Sequence, residues 1–203
     1  MKHYELLKND PAYWPDNSMY FLTDSTFLHF PYFSNESQKQ IVLNQIKKIK
    51  ESLGVPISAY SIAKNHYHLK FFLEKGVLLS KIKQLLRGGI SYEYNKHYDN
   101  PYKEMWQTRK TVLITSEDMD WKVTGYIIGN LLKHKEVSTF TELKGNKFSS
   151  FWFMTDKYGF DEMTDLVKRV IITDEDSRGD IDLNNLKDID LKFRRAEARK
   201  TLG

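Results

Sequence analysis

Two strand-like runs lie nearly end to end in the middle of this chain. Ile57–Ala63 and His66–Leu73 are separated only by Lys64 and Asn65, and asparagine is well suited to a turn. A connection that short joins antiparallel neighbours. Helical patterns stand on either side. Asn35 and Gln38 have the spacing of a capping box, Val42, Ile46, Ile49 and Leu53 recur at helical intervals, and Gly54 and Pro56 stop the helix. Downstream, Leu78, Ile82 and Leu85 predict a second helix ending near Gly88–Gly89, with the tyrosine-rich Ile90–Lys103 as helix continuation and loop. The outer strands come from Ser18–Phe33, read as one strand or two short ones, and from Met105–Thr115. The order strand, helix, strand, strand, helix, strand predicts an α+β fold of the ferredoxin-like kind, one antiparallel sheet with two helices on one face.

An additional helix starts at Ser116, with Glu117 and Asp118 in its first turn, and runs to about Lys135. Phe148–Phe153 is aromatic, and Met163, Leu166, Val167 and Val170 predict one more amphipathic helix. The pattern divides the chain into a unit of residues 1–172 and a charged tail of residues 173–203.

Composition narrows the chemistry. With 203 residues, 40% of them hydrophobic, the chain can bury a real core, which excludes disorder throughout. The absence of cysteine excludes disulfides and thiolate sites, so any metal needs nitrogen and oxygen ligands. No segment approaches the length of a membrane span and the opening residues lack a signal-peptide core, so the expectation is a cytoplasmic protein without membrane contact. A net charge of +4 suits a phosphate-bearing partner without identifying one.

Alternation along the second central strand puts His66, His68, Lys70 and Phe72 on one face and Tyr67, Leu69, Phe71 and Leu73 on the other. The second set belongs on the two helices. The two imidazoles point the other way, where a pair at i and i+2 either converges on one metal ion or sits on a solvated sheet face. On the additional helix, Val123, Ile127, Ile128, Leu131 and Leu132 fill one arc, and Tyr126, Asn130 and Lys133 form a polar stripe opposite. The stripe disfavours a half-buried aromatic at Tyr126. Gly125 and Gly129 leave room for something to approach closely. If this helix covers the imidazoles, Asn130 supplies an oxygen ligand and Tyr126 stands one turn away.

These residues resemble a known family. Asn65–His68, "NHYH", is similar to the signature of HUH-type single-strand endonucleases, and within them to IS200-like Y1 transposases of the REP-associated branch. "MWQTR" (Met105–Arg109), "YIIGNLLKH" (Tyr126–His134) and "FSSF" (Phe148–Phe151) resemble three further segments of that branch, in the same order. Family members carry Met-Pro before the Asn, where this chain has Ala63 and Lys64, and a Pro after the helical Asn, where it has Leu131.

The resemblance implies a ferredoxin-like fold, Mg²⁺ or Mn²⁺ held by His66, His68 and Asn130, and Tyr126 as nucleophile. It implies attack on a DNA phosphodiester to give a 5′-phosphotyrosine and a free 3′-hydroxyl. An ordinary tyrosine has a pKa near 10, so the attack needs help. Lys133 either supplies it or is a solvated helix lysine. The implied partner is single-stranded DNA carrying hairpins, and both monomers and homodimers occur among such proteins. Arg109, Lys110, Lys81, Lys83 and Arg87 are candidate phosphate contacts, or ordinary surface charge. Trp106 either stacks on an unpaired base or packs in the core. In the tail, Arg194, Arg195, Arg199 and Lys200 either grip a duplex stem or form a loose end. The alternatives in function are a catalytically silent hairpin-binding module, a metal-dependent hydrolase without a covalent step, and a structural domain.

Overall fold

The computed structural model describes residues 14–102 and 104–171. The elements in chain order are β1 (Ser18–Thr26), α1 (Glu36–Leu53), β2 (Ile57–Ile62), β3 (His66–Leu73), α2 (Leu78–His97), β4 (Trp106–Ile114), α3 (Glu117–Lys133), α4 (Phe140–Gly145), α5 (Phe151–Tyr158) and α6 (Phe160–Ile171). The strands form one four-stranded sheet in the order β2-β3-β1-β4, and every pair is antiparallel. That is the ferredoxin-like topology, with the helices α3 to α6 added to it.

Local signals explain the frame. The Asn35 side chain accepts from the Gln38 N–H while the Gln38 side chain accepts from the Asn35 N–H, so two orphan donors are satisfied at the start of α1. Gly54 ends that helix with φ 64°, a left-handed conformation glycine adopts without penalty. Tyr67, Leu69, Phe71 and Leu73 are buried in one apolar cluster with Val42, Ile46 and Ile49 of α1 and Leu79, Ile82 and Leu86 of α2.

The second helix corrects the expectation of an end near Gly88–Gly89, because α2 continues through both glycines to His97. The reason is tertiary. A Cβ on Gly89 would lie 2.5 Å from Cδ of Gln45, so the glycine admits an α1 side chain rather than stopping a helix.

The opposite face of the sheet is covered by α3, which contacts β2 and β3. Behind it lies α6. A Cβ on Gly125 would meet Val170 at 2.9 Å, and one on Gly129 would meet Ile171 and Val167 at 2.5 Å, so these two glycines are the seat of α6. α3 is therefore buried on two sides. The expectation that the stripe of Tyr126, Asn130 and Lys133 disfavours burial of Tyr126 is corrected by the structure: Tyr126 is 2% exposed and Asn130 0%. The "FSSF" segment closes the free edge of β2. Ile62 N–H donates to the Phe148 carbonyl, Ser150 N–H to the Tyr60 carbonyl, and Tyr60 N–H to Ser150 Oγ. Ser149 Oγ ties the same segment to the Ile128 carbonyl of α3. Among the described residues no helix is long and apolar enough to cross a membrane.

Candidate active site

Cross-strand pairing places the first two residues of the site. His68 stands opposite Thr23 of β1, and its Nδ1 is 2.8 Å from Thr23 Oγ1. That contact fixes the ring and leaves Nε2 buried with no hydrogen-bond partner among the described residues. His66 stands opposite Ser25, its Nδ1 2.7 Å from Oδ1 of Asn65 and its Nε2 3.1 Å from Oδ1 of Asn130 on α3. The two imidazole centroids are 4.8 Å apart.

The donor atoms fit a cation. If His66 Nδ1–H donates to Asn65, then Nε2 carries a lone pair and faces another lone pair on Asn130 Oδ1. Either the Asn130 amide turns over to donate, or a cation lies between them. Ligand atoms at right angles on a small divalent ion are separated by about 3 Å, which is the spacing seen. The orphaned His68 Nε2 agrees with the second arrangement. No group of three or more His, Cys, Asp or Glu that could hold a metal occurs among the described residues; the atoms that could hold one here are those of two imidazoles and one amide.

Both imidazoles are held neutral. Burial pushes His66 down to about 3; the neighbouring charge of His134 adds to this, while the Asn130 hydrogen bond opposes it. Burial, then the charge of His66, pushes His68 well below its ordinary value. A neutral imidazole is the form that ligates metal. Lys133, His134 and, at His66, His29 also act on the pair, each in the direction that lowers its pKa.

Tyr126 packs edge-on against His68 with ring centroids 5.0 Å apart, and Phe21 touches both rings, its centroid 6.4 Å from that of Tyr126 and 5.6 Å from that of His68. Lys133 Nζ lies 5.0 Å from the centre of the Tyr126 ring. Further along the same face of β3, Lys70 is almost fully buried and reaches Asp120 at 2.8 Å and Thr124 Oγ1 at 2.6 Å on α3. The structure thus brings His66, His68, Asn130, Tyr126 and Lys133 together.

The remaining positions scatter. Lys110 stands opposite Thr23, in the cross-strand rung that also contains His68 and Ser61, at the β4 edge of the same face. Lys81 is exposed on α2. Lys83 is buried with its ammonium over the Trp14 ring, and Arg87 pairs with the buried Asp24 at 2.6 Å. Trp106 packs against Tyr67 and Phe33 on the helix side and donates to Ser91. Arg109 pairs with Asp24 by backbone position in β4. Arg194, Arg195, Arg199 and Lys200 lie outside the described residues.

Sequence reasoning missed His134, whose ring packs edge-on against His66 with centroids 4.7 Å apart. Its signal is the spacing Tyr126, Asn130, His134, one residue per turn on one stripe. It also missed Glu136, which accepts from the Lys64 N–H at 2.8 Å and pairs with Lys39, fastening the end of α3 beside the histidine strand. A proline at position 64 would have no N–H to give.

A ferredoxin-like sheet with two neutral histidines on one face, faced by a tyrosine and an asparagine from an added helix, defines the class of HUH-type folds with a single tyrosine. The family model "Transposase IS200 like" matches residues 28–130, more than half of the chain, and the chain belongs to that family. Among solved structures it is similar to a REP-associated tyrosine transposase bound to a REP hairpin, at 20% identity with a TM-score of 0.61, over 73% of this chain and 87% of that one. A transposase candidate from Deinococcus radiodurans matches at 13% identity and a TM-score of 0.44, over 56% of this chain and 91% of that one. No curated protein matches the chain.

Proposed function

We propose that this protein is a metal-dependent single-strand DNA endonuclease and strand transferase that works through a tyrosine–DNA intermediate. The observation that carries the reading is the packing of Tyr126 beside two neutral imidazoles and the Asn130 amide. Tyr126 Oη forms a bond to the scissile phosphorus as the bond from phosphorus to O3′ breaks. The phenolic proton leaves to solvent or a basic neighbour, and O3′ takes up a proton. The products are a 5′-phosphotyrosine and a 3′-hydroxyl, and the reverse attack by a 3′-hydroxyl rejoins a strand without an external energy source. His66, His68 and Asn130 would hold Mg²⁺ or Mn²⁺, and the two nitrogen ligands favour Mn²⁺. Such an ion, when bound, polarises the phosphate. Lys133 stabilises the phenolate or the phosphate oxygens. Thr23 and Asn65 fix the imidazoles.

The substrate is single-stranded DNA with a hairpin, as in the related structure solved with a REP hairpin. Lys110 and Lys81 suit backbone phosphates, with Arg109, Arg194 and Arg195 as further contacts. Residues 1–172 form the catalytic unit and 173–203 the DNA-contacting tail.

The test is incubation with hairpin-bearing single-stranded DNA and Mn²⁺, followed by a denaturing gel. A covalent adduct is expected with the unaltered protein and none with Tyr126→Phe. Cleavage that survives Tyr126→Phe sinks the covalent mechanism and favours a water nucleophile; binding without cleavage reduces the protein to a hairpin-recognising module.

A further inference from the structure

A strained turn sits at the rim of the site. After β1 the chain makes a single 3-10 turn, Phe27–His29, in which Leu28 has φ 51° and ψ 26° and His29 has φ 54°. Two successive non-glycine residues in the left-handed region are unfavourable, because Cβ crowds the following carbonyl, and they persist only where the surroundings impose them. Here the surroundings do. Thr26 N–H donates to the Asn65 carbonyl at 2.9 Å, and Thr26 Oγ1 lies 2.7 Å from the Phe30 carbonyl. Phe27 N–H donates to the Met105 carbonyl at 2.9 Å. The rings of Phe27 and Phe30 both pack against Tyr102, each with a centroid distance of 5.4 Å. The flanking residues are anchored and the middle of the turn is pushed outward, leaving Leu28 65% exposed.

Asn65 connects this turn to the site. Its Nδ2 donates to the His29 carbonyl at 3.2 Å, and its Oδ1 lies 2.7 Å from His66 Nδ1. One side chain thus spans the distance between the strained turn and the imidazole. His29 is also exposed, and its charge acts on His66.

We propose that Leu28 is a platform for an unpaired nucleobase next to the scissile phosphate, with Asn65 setting the position of the turn relative to His66. The inference rests on the single-strand DNA reading. A single apolar side chain is far too small for a protein interface, which requires a contiguous patch. It matches the face of one base, and apolar wedges of this kind do contact bases where strands are unstacked. The basic neighbour Lys133 gives the accompanying phosphates a favourable field. The strain has a use in this arrangement: a relaxed turn would let the leucine fold back onto the protein.

The experiment compares two DNA probes by fluorescence anisotropy with the full chain. One is a hairpin with a mixed-sequence 5′ single-stranded flank of about eight nucleotides, the other the same hairpin without the flank. Leu28→Gly is expected to melt at or above the temperature of the unaltered protein, since glycine adopts a positive φ freely. It is also expected to bind the flanked hairpin about tenfold more weakly while binding the blunt hairpin equally well. Leu28→Phe is expected to keep the preference for the flank. An unchanged preference in Leu28→Gly, or a melting temperature several degrees lower, overturns the proposal, the second because it would make Leu28 a packing residue. An unaltered protein that binds neither probe overturns the nuclease reading, and the inference with it.

Discussion

The two faces of β3 do opposite things with neighbouring residues. Tyr67, Leu69, Phe71 and Leu73 face α1 and α2, and their burial is what drives the sheet and helices together. His66, His68 and Lys70 face α3 and are just as buried, but every one is polar. The first face needs only shape and apolar area. The second must satisfy each donor and acceptor, and at His68 Nε2 it does not. A fold that leaves a buried polar atom unsatisfied gives up stability at that point, which is expected where a ligand or substrate is to be received.

Substituting adjacent residues separates the two faces. Leu69→Ala should destabilise the protein by about 3 kcal/mol in urea denaturation, with strand-transfer activity per folded molecule unchanged. His68→Gln should do the reverse, losing more than about a hundredfold in adduct formation while the unfolding free energy from urea denaturation changes by under about 1 kcal/mol. Equal losses of stability for both would erase the distinction. A smaller effect is expected at Lys70. Lys70→Met leaves Asp120 without its partner and should cost about 2 kcal/mol, most of it recovered in the double variant with Asp120→Leu. Failure of the double variant to recover would mean that the lysine stem, not the charge, holds α3. Gly129→Ala pushes a methyl into Ile171 and Val167, for about 1–2 kcal/mol measured the same way.

The smallest effect comes from pH. His66 is held at about 3 in the folded state against 6.5 for an ordinary histidine, so below 6.5 the unfolded chain binds protons that the folded chain refuses. Its stabilisation is complete above about pH 6.5 and is lost progressively as the pH falls toward 3. Between pH 7 and pH 6 the metal-free protein should lose a little stability, and His66→Gln should lose less; identical pH slopes would contradict the assignment.

Much of this is legible in the chain because it is encoded locally. The capping box at Asn35 and Gln38 and the left-handed Gly54 bound α1 without reference to the rest of the molecule. The alternation from His66 to Leu73 fixes which side chains share a face, and helical spacing puts Tyr126 and Asn130 on one stripe. The rest depends on neighbours distant in sequence. Gly88 and Gly89 look like a helix stop until Gln45 of α1 is seen to occupy the space beside Gly89. Tyr126 reads as part of a polar stripe because an amphipathic pattern assumes one buried side, whereas α3 has the sheet on one side and α6 on the other. α4 leaves no trace in the pattern, since its six residues are too short to show a period. His134 escapes notice because a helix-terminal histidine reads as a polar end rather than as a neighbour of His66.

The grip of Lys70 on Asp120 and Thr124 also has a kinematic meaning. Tyr126 and Asn130 are one turn apart, so sliding α3 along its axis by about 6 Å would carry the tyrosine to the place of the asparagine, beside His66. Apolar packing alone resists such a shift weakly, because ridges re-engage after a full turn. A lysine seated between a carboxylate and a hydroxyl from adjacent turns of the helix has one home position. It acts as the pawl of a ratchet, and the spacing between the side chains of α3 and those of β3 is set at a residue outside the histidine pair.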